Sequence, residues 1–382
     1  MDKPVRVFWY CEKWQPGGIQ AVQANLLAHM DTQRIRFDIV TSESETEIFD
    51  EKIEKAGARR LVSLDRKYSG PGRRTLANFF ALRRLIRDGH YDAVHFNACH
   101  GVEMMYLLWA WLYRVPLRIV HCRNNDIGAG GRSRALKLAC HAVCKRMFGA
   151  CANVRLANSD LAAKWLFTAR DLRLGRVEIL KNGIDAGRYR FDADARARVR
   201  GELGVGDRFV LGHVGHFSYQ KNHEFLLRVF AALAARMPQA VLLLVGAGEG
   251  EAQVRAQVRD MGLEDRVIFY GVTNDVPAMM WAMDAFVLPS RFEGFGNVLI
   301  EAQAAGLRCF ASRDVIPRKV GVTQRLEWIS LEEPPQVWAE RIAAAAAPYA
   351  RADGTQEIIR AGHDISSMAK RLEALYLGTA AE

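Results

Sequence analysis

Residues 285–312 read AFVLPSRFEGFGNVLIEAQAAGLRCFAS. "AFVLPS" is a short apolar strand pattern, the segment from about Asn297 is helical, and "RCFAS" is a second strand. A glycine turn, Gly294 to Gly296, joins the first strand to the helix. Strand, helix and strand in this order form the unit of a parallel sheet covered on both faces.

The same alternation runs outward from this stretch. "FVLGHVG", "AVLLLVG" and "RVIFYG" precede it, and "VRVFWYC", "RFDIVTS", "DAVHFNA", "RIVHCR" and "VRLANS" repeat the rhythm in the N-terminal half. The polar, glycine-containing stretch KNGIDAGRYRFDADARARVRGELGVGDRF interrupts it and reads as a connection. A chain of 382 residues exceeds one ordinary core. The expectation is an α/β protein of two doubly wound domains, residues 1–185 and 186–365, with 366–382 as a C-terminal helix packing back on the first. Ligands of such sheets bind beyond the carboxyl ends of the strands, so the loops that follow strands carry the information.

Half the residues are apolar and a quarter charged, the profile of a soluble globular chain. The longest apolar run, residues 104–113, is far short of the roughly 20 that cross a bilayer, and the N-terminus has no signal-peptide pattern. Seven cysteines include no C-x-x-C pair. Cys140, Cys144 and Cys151 are expected in a core rather than on zinc, and the chain is expected in the reducing cytoplasm. The net charge of +10 is concentrated in residues 1–185, which hold 30 Lys+Arg against 19 Asp+Glu. Basic residues crowd residues 59–87, including Arg66 and Lys67, and suit an anionic partner such as a membrane surface; the alternative is a merely solvated face. No helix-turn-helix, RNP, KH or zinc-finger pattern is present, so nucleic acid is not expected as a partner.

The glycine turn also carries chemistry. Gly294 and Gly296 allow a tight turn and close approach to the backbone. The helix that follows offers N–H groups and a positive dipole end to a phosphate. Glu293 stands before that seat and can accept hydrogen bonds from sugar hydroxyls. Glu301, in the helix, can accept them from a ribose. Phosphate, ribose and sugar together describe a sugar nucleotide. The alternative makes Glu293 a charge partner of the helix end and Glu301 a surface residue.

Glu293 and Glu301 resemble the Glu-x7-Glu motif of the retaining glycosyltransferases of family 4, which have the GT-B fold. "PGGIQAVQANLLAHM", "LANSDLAAKWLF", "KNGID", "GHVGHFSYQKNHEFLLRVF" and "RVIFYGVTNDV" extend the resemblance along nearly the whole chain, especially to bacterial exopolysaccharide enzymes. It implies two Rossmann-like domains facing across a cleft, the first on the acceptor side and the second binding a nucleotide sugar. It also implies roles. Gly17 and Gly18 would lie near the donor diphosphate, and Lys221 would hold the leaving phosphate. Glu293 would touch the transferred sugar and Glu301 the ribose. Gly294, Phe295, Gly296 and Asn297 would offer amides to the sugar and distal phosphate. Gly271, Val272 and Thr273 would hold the base. Two departures stand out. His216 replaces the usual arginine of a G-R-F pattern, and either His121 or Arg123 would lie at the reacting centre.

Three patterns compete. "GAGEG", residues 246–250, resembles part of a dinucleotide fingerprint. Asp192 and Asp194 form a D-x-D that reads as helix capping rather than a metal motif. His95 and His100 either line an acceptor site or end a strand. The apolar stripe of residues 104–113 is expected as a buried helix. The resemblance implies transfer of a hexose from a UDP-linked or other nucleoside-diphosphate donor to a polyprenyl-diphosphate-linked or growing glycan. The enzyme would sit peripherally at the inner face of the cytoplasmic membrane, with no cofactor and no metal. The alternatives are a GT-B sugar-nucleotide epimerase and a non-catalytic nucleotide-binding assembly module.

Overall fold

A computed structural model describes residues 3–14, 17–44, 47–64, 68, 70–127, 132–347 and 349–379. The chain divides into two compact units, Met1–Gly183 with Ile365–Glu382, and Ile184–Asp364.

The N-terminal unit is built on a seven-stranded sheet. Its strands are β1 (Val5–Tyr10), β2 (Ile35–Thr41), β3 (Arg59–Val62), β4 (Ala93–Ala98), β5 (Leu117–Cys122), β6 (Val154–Ala157) and β7 (Glu178–Ile179). The order is β3-β2-β1-β4-β5-β6-β7, and every pairing is parallel. The C-terminal unit holds a six-stranded parallel sheet of β8 (Val210–Val214), β9 (Val241–Val245), β10 (Val267–Gly271), β11 (Ala285–Leu288), β12 (Arg308–Ser312) and β13 (Leu326–Ile329), in the order β10-β9-β8-β11-β12-β13. Central strands such as β4, β9 and β11 are buried along their whole length, as strands covered on both faces must be. In each sheet the order reverses direction beside its first strand, β1 or β8, which is the topology of a doubly wound fold.

The helix Ile365–Leu377 belongs to the N-terminal unit although it closes the chain. Ile365, Met368, Leu372 and Tyr376 join one apolar cluster with Val7, Trp9, Leu26 and Phe37. Arg371 clamps Glu178 of β7 through two hydrogen bonds of 2.7 and 2.8 Å.

Much of the arginine-rich segment is paired. Arg59 forms a fork on Asp38, Arg60 bonds Asp50, Arg74 bonds Glu12 and Arg87 bonds Asp88. Arg83 donates to the Tyr113 hydroxyl, while Arg66 and Lys67 lie outside the described residues. Cys140 departs from its expected core position. It is exposed, Cys144 is half-buried and only Cys151 is buried, because the helix Arg132–Phe148 turns the Cys140 face outward. The stripe 104–113 is also divided, with Met104, Tyr106 and Leu107 buried but Trp111 and Leu112 about half exposed.

Candidate active site

The glycine turn after β11 places Glu293 at the carboxyl edge of the C-terminal sheet. The carboxylate is 5% exposed. Its Oε1 accepts from Lys221 Nζ at 2.7 Å and from Ser290 Oγ at 2.7 Å, and its Oε2 accepts from Gln220 Nε2 at 3.0 Å. Lys221 ends a one-turn 3-10 segment after β8, just before the helix His223–Arg236. Asn222 makes the corner in the left-handed region, at φ 59°, and its side chain donates to the Pro289 carbonyl at 3.1 Å. Gly215 leaves room for the lysine stem. A Cβ there would stand 3.0 Å from Lys221 Cε.

Gly296 caps the helix Asn297–Ala304 at φ 94°. L-residues reach that region only with strain, so the glycine is required by conformation. Phe295 is buried, its ring centroid 5.4 Å from that of His363. Glu301 lies one turn into the helix. Burial pushes its carboxyl up to about 7, opposed by a hydrogen bond from the Tyr189 hydroxyl and by Lys221 and Arg188. Glu293, Glu301 and Lys221 therefore form one electrostatic group.

His216 follows β8, and its Nε2 lies 2.8 Å from Glu249 Oε2, while its Nδ1 is buried without a partner among the described residues. Glu249 belongs to "GAGEG". The glycines of that loop serve packing. A Cβ on Gly246 would stand 2.2 Å from the Gly215 carbonyl oxygen, and one on Gly248 would meet the Phe217 backbone N and O at 2.7 Å. The two loops zip together through Phe217 N–H to Ala247 O and Gly250 N–H to Phe217 O. Gly271 turns at φ 85°, Val272 is partly exposed, and Thr273 Oγ1 accepts from the Asp275 N–H. Asp192 caps the helix Ala193–Glu202 by accepting from Ala195 N–H at 2.9 Å.

A second polar cluster lies at the carboxyl edge of the N-terminal sheet. Arg123, just past β5, is 6% exposed. It donates to Asn97 Oδ1 at 2.8 Å and Asn182 Oδ1 at 2.7 Å, and its Nη2 has no partner among the described residues. Burial lowers its pKa to about 10. His121 lies inside β5, fully buried, with Nδ1 3.2 Å from His95 Nε2. His95 in turn reaches the Tyr376 hydroxyl at 2.6 Å. Burial, with Arg123 nearby, holds both imidazoles well below the usual range, so both are neutral. His95 is a core residue tying the last helix to the sheet. Gly17 caps the helix Gly18–Leu27 with extended backbone and no side-chain hydrogen bond.

Glu12, His100 and Glu103 bring three potential ligand atoms within 4.8 Å of one another. Glu103 is driven well above the carboxylate range by burial and by Glu12. Against the opposing effect of burial, the Glu12 pKa is lowered by its hydrogen bond with Glu103 and by Arg74.

Ser290 and Gln220 could have been noticed as neighbours of Glu293 and Lys221 in sequence. Tyr189 and Asn97 carry no motif, and Asn182 of "KNGID" and Glu249 of "GAGEG" sit in quoted fragments whose pattern gave them no role. They reach their sites through chain segments far away in sequence.

Residues 16–188 match the family described as Glycosyltransferase Family 4, and residues 196–345 match that described as Glycosyl transferases group 1. EpsF of Bacillus subtilis (strain 168), a protein assigned as a glycosyltransferase, is 33% identical over 339 residues, covering 87% of this chain and 85% of EpsF. The UDP-Gal:alpha-D-GlcNAc-diphosphoundecaprenol alpha-1,3-galactosyltransferase of Escherichia coli is 25% identical over 248 residues, 62% of each chain. Among solved structures, Anabaena HepE in complex with UDP and glucose superposes with a TM-score of 0.78 at 19% identity, over 98% of this chain and 100% of that one. The chain belongs to the family 4 glycosyltransferases and has the GT-B fold.

Proposed function

We propose that the protein is a retaining hexosyltransferase. It moves a sugar from a nucleoside-diphosphate donor, UDP-linked by preference, to a hydroxyl of a lipid-linked or growing glycan at the inner membrane face. The observation that carries this reading is the Lys221–Glu293 pair, held 2.7 Å apart beside the helix N-terminus at Asn297 and close to Glu301. The E. coli relative, named for a UDP-galactose donor and a diphosphoundecaprenol-linked acceptor, supports the substrate classes.

In this reading Lys221 meets the leaving diphosphate. Glu301 takes the ribose hydroxyls, and Gly271, Val272 and Thr273 hold the base by main-chain contacts. Glu293 orients the transferred sugar, with Gln220 and Ser290 fixing its carboxylate. The bond from the anomeric carbon to the phosphate oxygen breaks, and the bond from that carbon to the acceptor oxygen forms on the same face. The acceptor's proton passes to the departing diphosphate, so no protein base is consumed. The residues contribute by positioning and by stabilising developing phosphate charge. Lys221 and the helix N-terminus supply that positive charge, with His216 as a further donor, so we propose turnover without a divalent metal. Arg123, rather than the enclosed His121, is the N-terminal unit's candidate for the reacting centre, because its Nη2, at a strand end, has no partner among the described residues.

The test is incubation of purified protein with a panel of nucleoside-diphosphate sugars, with and without a polyprenyl-diphosphate saccharide, in EDTA. Proton NMR of the product gives the anomeric configuration. A new glycoside with the donor's configuration is expected. An inverted product, an isomerised donor, nucleotide binding without turnover, or activity only with added metal would each refute the corresponding part.

A further inference from the structure

The helix Arg132–Phe148 carries an apolar stripe that none of the described residues covers. Leu136, Val143 and Met147 are 68%, 53% and 64% exposed, and Cys140 is exposed between them. Their spacing of four, three and four residues puts all four on one line along the helix. Lys137 and Arg146 fall about 90° to either side of that line. The helix contains five cations, Arg132, Arg134, Lys137, Lys145 and Arg146, and no acid. Asp126 is the only acidic residue in sequence between Glu103 and Asp160, and it pairs with Arg134 at 2.9 Å.

The opposite face is fixed. The Gly101 N–H donates to His141 Nδ1 at 2.9 Å, the His141 ring stacks on Trp165 at 4.1 Å, and Lys145 Nζ donates to the Trp165 carbonyl at 2.8 Å. A Cβ on Gly101 would stand 2.4 Å from the His141 carbonyl oxygen, so this helix sits directly on the chain there. The stripe therefore cannot roll inward.

We propose that the helix Arg132–Phe148 is the surface by which this protein lies on an anionic lipid bilayer. Leu136, Cys140, Val143 and Met147 enter the headgroup boundary, and Lys137 and Arg146 reach the lipid phosphates on either side. An amphipathic helix with apolar residues on one line and cations at its margins has the chemistry of interfacial binding. A second copy of the chain is the poorer occupant, since two acid-free helices would oppose like charges. Arg59, Arg60, Arg74 and Arg87 are weaker anchors, because they already hold carboxylates. The proposal rests on the reading of a membrane-linked acceptor and names the surface that would bring the enzyme to it.

The experiment is co-sedimentation of the full chain with vesicles of phosphatidylcholine alone and of phosphatidylcholine mixed equally with phosphatidylglycerol. The wild type is expected to bind the mixed vesicles only. Leu136→Glu with Met147→Glu should abolish binding, and Lys137→Gln with Arg146→Gln should weaken it about 25-fold at low salt. All four side chains point to solvent or flank the stripe, so thermal melts should be unchanged and report intact folding. An environment-sensitive fluorophore on Cys140 should shift to the blue on the mixed vesicles. No binding, equal binding to both vesicles, or binding that the glutamate pair leaves intact overturns the proposal. So does a concentration-dependent dimer that the glutamate pair dissolves. Consumption of nucleotide sugar in vesicle-free buffer is measured in parallel. If it persists while vesicle binding fails, the docking surface is wrong and the transferase reading stands.

Discussion

In the C-terminal unit, Glu293 takes three hydrogen bonds from Lys221, Gln220 and Ser290. In the N-terminal unit, Arg123 spends its bonds on two asparagines and leaves Nη2 unmatched among the described residues. Both clusters sit at the carboxyl edge of a parallel sheet and both are largely buried. The first is a closed set of opposite charges, and a diphosphate would compete with Glu293 for the lysine. The second is a single buried cation with neutral partners, a donor held ready at the cost of one unsatisfied group. On the proposed reading, one edge exchanges a charge partner and the other holds a fixed positive group.

Three substitutions probe this difference. The largest effect belongs to the charge pair. Lys221→Ala and Glu293→Gln should each lower kcat about 100-fold or more, by analogy with loss of one preorganised donor to developing charge. Steady-state donor consumption checks this, and wild-type kcat/KM in both variants would remove the pair from the mechanism. Arg123→Ala should act first on stability. It removes the Arg123 donor from Asn97 Oδ1 in the interior, costing about 2 kcal/mol, visible as a lower Tm. Lys221→Ala should lower Tm as well, because it leaves the buried Glu293 carboxylate without its cation. An unchanged Tm in Arg123→Ala would mean that Arg123 does not hold its asparagine partners.

Glu301 gives a pH signature. Its carboxyl is raised to about 7 by burial, so the folded protein holds this proton more tightly than the unfolded chain. Its contribution to stability is present below the ordinary carboxylate range near 4.5 and is lost as pH rises through about 7. Tm measured against pH should fall across that window, and Glu301→Gln should flatten the fall. Ribose hydroxyls are better accepted by the ionised carboxylate, so donor KM should improve as much as about tenfold over the same window. A KM with no pH dependence would detach Glu301 from the ribose. The smallest effect is expected for Glu249→Ala. Glu249 is an exposed partner of His216, and an exposed pair of this kind is worth about 0.5 kcal/mol, or roughly twofold in turnover. A large loss would mean that Glu249 itself touches the donor.

The strands buried on both faces were legible because their apolar runs are continuous. The strands missed, Arg59–Val62, Glu178–Ile179 and Leu326–Ile329, all lie at sheet edges, where half-exposed positions dilute the pattern. The turn around Glu293 was legible because glycine, carboxylate and helix start fall within a few residues. The surroundings of Arg123 were not. Asn97, Asn182 and Tyr376 lie on different strands, loops and the last helix, and only the sheet order brings them together. The Cys140 stripe was misread for a related reason. Helical spacing shows that residues share a face, but not whether that face points inward.

Titration of UDP into the wild type, Lys221→Ala and Arg123→Gln by calorimetry tests most directly the claim that the C-terminal cluster holds the donor's diphosphate. The wild type should bind, and Lys221→Ala should bind at least tenfold more weakly, about 1.4 kcal/mol or more. Arg123→Gln should bind like the wild type. Equal affinity in wild type and Lys221→Ala would contradict that claim.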